Sequence, residues 1–149
     1  PGGLTLPSVD LDGKWEFNAD PQDVGEKEGW FDTRVPFGMS ILTPGPWQTQ
    51  GVGNTTVLMS HQFEGVGWYR RSVHLEPASL YNDTRIFLWI GGHPGGVMRS
   101  AEVYVNGQKL GRHVGYLKPL EMEIPRSIIG KGQSFVLAVA VDSRWNASE

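Results

Sequence analysis

Hydrophobic and polar residues alternate along several short stretches of the chain. In Ala101-Glu102-Val103-Tyr104-Val105 the valines fall on one face of an extended strand, and Glu102 and Tyr104 fall on the other. Asn106-Gly107 follows, and this pair predicts a two-residue type I′ turn that returns the chain through Gln108 to His113 as a hairpin. Trp15 and Phe17 share a face of a short strand entered by a turn at Asp12-Gly13. A strand begins around Gln62-Phe63-Glu64, and another runs from Trp68 to Leu75 until Pro77 closes it. Arg85 to Ile90 is a strand that stops at Gly91-Gly92, and Phe135 to Val141 is the last, entered by a Gly130-Lys131-Gly132 turn. Between residues 20 and 56 glycine and proline are frequent and the periodicity fades, which predicts a long ordered loop region holding one strand. Loops of that length in a compact domain are usually functional. A single helical turn is expected at Arg126–Ile129.

Two strands are apolar on both faces and are therefore expected to be central. Ile86, Leu88 and Ile90 line one face of the first, with Phe87 and Trp89 opposite. Leu137, Val139 and Val141 line one face of the second, with Val136, Ala138 and Ala140 opposite. If the two share a sheet, Phe87 and Trp89 lie beside Ala138 and Ala140 as a shallow apolar platform. A loop of this domain, a neighbouring domain or a sugar ring would then cover it. Many short strands separated by turn signals imply an all-β sandwich or barrel.

The 149 residues are expected to form one domain, 1–149, long enough to bury roughly 68–70% of the unfolded surface. The 20 glycines, 10 prolines and 6 tryptophans fit a loop-rich β protein. A net charge of −3 argues against a nucleic-acid partner, which requires a basic face. No apolar run approaches the ~18 residues of a spanning helix, so no membrane partner is expected. Cysteine is absent, which removes disulfides and thiolate chemistry. The compartment stays open, with periplasmic or extracellular placement ahead of cytoplasmic. The sequons at Asn54, Asn82 and Asn146 are read as polar surface loops.

Candidate chemistry is sparse. Asp10-Leu11-Asp12-Gly13 does not continue into an EF-hand, since Trp15 and Pro21 stand where glycine and glutamate are needed. Calcium held by loop carbonyls and carboxylates stays open. His61, His74, His93 and His113 lack helical metal-pair spacing, so no metal site is expected. Gly91-Gly92-His93-Pro94-Gly95-Gly96 lacks the lysine and helix of a phosphate loop, and no nucleophile elbow occurs. The carboxylates between Asp20 and Asp32 read as a solvated face with Lys27. No catalytic residue and no cofactor is expected. Aromatic residues are the remaining signal. Sugars are recognised by flat rings against their apolar faces and by polar groups on their hydroxyls. Trp47, Trp68 and Tyr116 supply rings, and Arg70 and His113 supply polar groups, so these five are the candidate carbohydrate-binding residues.

Leu11 to Phe17, Pro44-Gly45-Pro46-Trp47-Gln48, Trp68-Tyr69-Arg70-Arg71-Ser72-Val73, Ile86 to Gly91, Ala101 to His113, Gly115 to Leu120 and Leu137 to Asp142 stand in an order and spacing that resembles the sugar-binding domain of glycoside hydrolase family 2. That family includes many β-galactosidases, β-glucuronidases and β-mannosidases. The resemblance implies a jelly-roll β-sandwich like galactose-binding domains. It also implies a larger parent enzyme of β-galactosidase type, whose two catalytic glutamates lie in a separate TIM barrel, one of them in an Asn-Glu pair. This chain has no Asn-Glu pair, so as a fragment it is expected to be non-catalytic, with a carbohydrate and the parent's barrel as partners. The alternatives are a domain that only packs on the barrel and a carbohydrate-binding module of another enzyme class. Pro46 stands where some family β-galactosidases place an asparagine that reaches the substrate, and Val114-Gly115-Tyr116 replaces the family's Gly-Gly-Tyr.

Overall fold

The structure is a computed structural model that describes residues 9–43, 65–75, 85–90, 100–114, 120–129 and 132–142. In chain order its elements are β1 (Gly13–Asp20), β2 (Met39–Thr43), β3 (Val66–His74), β4 (Ile86–Ile90), β5 (Ser100–Val105), β6 (Gln108–Val114), β7 (Leu120–Ile124), α1 (Arg126–Ile129) and β8 (Ser134–Asp142). Six strands form one antiparallel sheet in the order β2-β1-β3-β8-β5-β6, and β4 pairs with β7 in a second. The expected all-β sandwich is the fold observed.

The alternation in each strand explains the two layers. Trp15 and Phe17 of β1, Val103 and Val105 of β5, and Leu137 and Val139 of β8 point inward from the large sheet. Leu88 of β4, and Leu120 and Ile124 of β7, meet them from the small one. Phe17, Val103, Val105 and Leu137 are fully enclosed, each contributing about 1.5–3 kcal/mol by leaving water. β8 is central, as its two apolar faces require, pairing with β3 along its whole length and with β5 on the other side.

β4 departs from expectation. It lies in the small sheet, apart from β8, so Phe87 and Trp89 do not adjoin Ala138 and Ala140. They stand opposite Glu123 and Glu121 of β7 and are 49% and 63% exposed. Its inward row of Ile86, Leu88 and Ile90 satisfies the core, and its aromatic row faces outward. β7 was also missed as a strand, although Leu120-Glu121-Met122-Glu123-Ile124 alternates.

The asparagine–glycine turn forms as expected, with φ of 50° at Asn106 and 80° at Gly107. Asn106 does more than turn the chain. Its Oδ1 accepts from the Val136 amide at 2.9 Å, and its Nδ2 donates to the Ile128 carbonyl at 3.1 Å. The hairpin tip is thereby tied to β8 and α1. The expectations for Trp47, His61, Gln62 to Glu64, His93, Tyr116 and the three sequons fall outside the described residues.

Candidate functional site

The outer face of the large sheet carries Trp68 and Arg70, two of the side chains that sequence reasoning singled out. Ala138 and Ala140 are small, and the space above them is filled by Trp68 of β3 and Tyr104 of β5, whose rings stack at 5.4 Å. The segment between β1 and β2 folds over these rings and supplies Trp30, Phe31 and Phe37. Phe31 stacks on Tyr104 at 4.9 Å, and Trp30 meets Trp68 edge-on at 6.3 Å. The cover over the two alanines is thus a loop of this domain.

Two side chains hold that loop down. Asp20, at the end of β1, is 1% exposed. Its Oδ1 accepts from the Val24 amide at 2.8 Å, and its Oδ2 accepts from the Gly25 amide at 2.7 Å and from Trp68 Nε1 at 3.1 Å. Arg70, at 2% exposure, donates from Nε to Glu16 at 3.0 Å. Its Nη1 donates to the carbonyls of Trp30 at 3.2 Å and Asp32 at 2.6 Å. Its guanidinium lies 3.9 Å from the Phe37 ring centroid. A buried charge survives only with this degree of pairing.

Trp68 and Arg70, both proposed from sequence as sugar contacts, therefore share one sheet face and lie beneath the loop. His113 is separated from them. It pairs in register with the core residue Ala101, on the opposite side of β6 from Arg112. Trp47 and Tyr116 lie outside the described residues.

Sequence reasoning did not find the cleft beside Trp68. It has a volume of about 240 Å³ and lies between the turn after β1 and the β5–β6 hairpin. Trp68 and Ala140 contribute to its floor, and Glu26, Ser100, Glu102 and Arg112 line it, with Asp23 and Asp142 at its edges. One sheet row explains the grouping, since Trp68, Ala140, Glu102 and Arg112 are successive cross-strand neighbours. A bulge between Val103 and Tyr104 creates the last pairing. Without it, counting back from the turn would put Gly111 opposite Glu102.

The rim is electrostatically dense. Lys109 Nζ lies 3.2 Å from Glu102 and 3.6 Å from Glu26, and Tyr104 donates to Glu102 at 3.2 Å. Burial, reinforced by Glu102 and Glu26, pushes the Tyr104 hydroxyl well above its ordinary range, so it stays a donor. A wider, more open groove of about 500 Å³ lies on the same sheet near β1 and β2, lined by Lys14, Glu16, Ser40, Arg70 and Arg71. Among the described residues no cluster of His, Asp and Glu is arranged to hold a metal ion. Such surfaces can fork hydrogen bonds onto hydroxyl groups.

A model of the glycosyl hydrolases family 2 sugar-binding domain matches residues 9–149. The chain belongs to glycoside hydrolase family 2. This family 2 domain is 33% identical over 143 residues to a β-glucuronidase of Paenibacillus borealis, covering 95% of this chain and 22% of that protein. It is 34% identical over 143 residues to a β-glucuronidase of Canis lupus familiaris, covering 85% of this chain and 20% of that one. Its structure resembles the Ruminococcus gnavus β-glucuronidase in complex with uronic deoxynojirimycin. That match has a TM-score of 0.75 and 27% identity, over 93% of this chain and 22% of the other. The family 2 domain therefore spans about a fifth of the length of the relatives it matches.

Proposed function

We propose that this chain is the non-catalytic sugar-recognition domain of a family 2 glycoside hydrolase acting on β-glucuronides, with catalysis in another part of the parent polypeptide. The observation that carries this reading is the alignment of nearly all of this chain with about a fifth of each β-glucuronidase. The carboxylates placed among the described residues support it. A glycosidase acid needs a raised pKa and an opposing carboxylate across the substrate. Here Asp20 caps backbone amides, Glu16 pairs with Arg70, and Arg34 and Arg85 hold Asp32 and Glu123 below the usual carboxylate range. The glycone is assigned from the longer matches, which are to β-glucuronidases, whereas a β-galactosidase of Thermoanaerobacter pseudethanolicus matches over 79 residues.

Chromogenic β-glucuronide and β-galactoside hydrolysis by the purified chain, alone and joined to the rest of its parent, tests the reading. The expected result is no turnover alone and glucuronide turnover when joined. Turnover by the chain alone refutes it.

A second reading has one observation in its favour. Phe87 and Trp89 stand exposed side by side on β4, and a contiguous exposed apolar patch commonly marks an interface. In this reading the rest of the parent packs on the β4–β7 face. Hydroxyl-radical footprinting should then show both side chains protected in the joined protein and labelled in the isolated chain.

A further inference from the structure

We propose that Trp89 and Glu121, on the outer face of the β4–β7 sheet, form a receptor for one arginine side chain, and that this arginine belongs to the rest of the parent polypeptide. This rests on the reading in which the parent packs on that face, and it names the chemistry of the contact.

The molecule carries its own template. Phe87 of β4 stands directly opposite Glu123 of β7. Arg85, two residues before Phe87 and on the same face, completes that pair. Its Nε donates to Glu123 Oε2 at 3.1 Å and its Nη2 donates to Oε1 at 2.8 Å. Its guanidinium carbon lies 5.1 Å from the Phe87 ring centroid. One planar cation thus forks onto a carboxylate and meets a ring face at the same time.

The next pair along the two strands repeats the ring and the carboxylate. Trp89 stands directly opposite Glu121, and side chains paired in this way have Cβ atoms about 4.5–5.5 Å apart. Strand alternation puts both pairs on one face, about 6.8 Å apart along the strand. Trp89 is 63% exposed, and Glu121 is exposed beside it. Among the described residues no cation is paired with Glu121 and none lies over Trp89. β4 itself has none to offer. Two positions before Trp89 stands Phe87, and two positions after it the sequence has Gly91. The indole is also the better ring for a cation.

Charge decides the occupant. A purely apolar partner would bury Glu121 with no counter-charge, which is costly. A lysine would satisfy the charge but lacks the flat fork that Arg85 displays on the neighbouring pair. The chain spans about a fifth of the length of the relatives it matches, and a parent joined to it holds its own arginines at high effective concentration.

Two measurements test this. The isotope-labelled 149-residue chain is titrated with N-acetyl-arginine amide, with its neutral isostere N-acetyl-citrulline amide, and with D-glucose. The Trp89 indole N–H and the Glu121 amide should shift with the arginine compound, about fivefold more tightly than with the citrulline compound. Glu121→Gln, at an exposed side chain, should leave the spectrum folded and abolish that difference. Equal response to citrulline, a response at Trp89 to glucose alone, or no response at either signal overturns the receptor. The joined protein is then footprinted with hydroxyl radicals, with and without Glu121→Gln. Trp89 should be protected in the unaltered protein, and its labelling should rise severalfold in the variant. Protection that the variant leaves unchanged overturns the arginine contact while the packing reading stands. Absence of protection in both overturns the contact and the packing together.

Discussion

Asp20 concentrates three hydrogen bonds on one buried carboxylate, and the loop over Trp68 depends on it. Asp20→Ala should cost about 2–5 kcal/mol, because two amides and an indole lose a charged acceptor. Urea unfolding followed by tryptophan fluorescence should show the loss, with a red-shifted native spectrum as Trp68 is wetted. Gly25→Ala tests the same contact from the other side. A Cβ there would overlap Trp68 Nε1 and lie 2.8 Å from Asp20 Oδ2, so the loop must lift at a cost of about 1–3 kcal/mol. Asp32 gives the pH dependence. Its hydrogen bonds from Arg34 lower its pKa from 3.8 to about 2. A folded value below the unfolded one means that its stabilisation is complete above pH ~4 and is lost as the pH falls towards 2. The pair is solvent-exposed, so the effect on stability is small. Arg34→Ala should raise the Asp32 midpoint in an NMR titration towards 3.8, while the backbone amide of residue 34 still holds it below that value. At this scale the sequence was only half legible. It marked Trp68 and Arg70 as special, but the residues that hydrogen-bond them lie 38 to 54 positions away and leave no local pattern.

The β5–β6 hairpin was readable because its turn chemistry is local. Gly107 sits at φ 80°, where a Cβ is disfavoured, so Gly107→Ala should cost about 1–2 kcal/mol in chemical denaturation. Asn106→Gly keeps the turn but removes both side-chain bonds to Val136 and Ile128, and should also destabilise by about 1–2 kcal/mol. β8 was equally readable, since a seven-residue apolar run between two partners needs no distant information. β4 was misplaced for a physical reason. Hydrophobicity alone does not separate an aromatic row packed in a core from one left on a surface, and Phe87 and Trp89 belong to the second kind. β7 was passed over because five alternating residues between a proline and a helical turn carry little signal. The bulge that sets Glu102 opposite Arg112 leaves Leu110 out of register beside Gly111, and because that glycine was read as part of a regular strand, the cleft was hidden with it.

Across the whole molecule, β8 lies between β3 and β5, and the strand pairing that joins the two halves of the large sheet runs through it. A chain ending at residue 133 should therefore lose cooperative folding altogether, which amide dispersion in an NMR spectrum would show. Phe87→Ser together with Trp89→Ser should leave the stability of the isolated chain within about 0.5 kcal/mol, because neither ring is in the core. The central place of β8 also bears on how the protein is made. β3, β5 and β6 emerge from the ribosome before the strand that joins them. At about 5–20 residues per second, β3 waits several seconds with one edge unpaired. During that interval the nascent chain exposes Trp68, Tyr104 and the inward valines of β5 together. Its yield in a cell should therefore depend on chaperone capacity more than its final stability suggests.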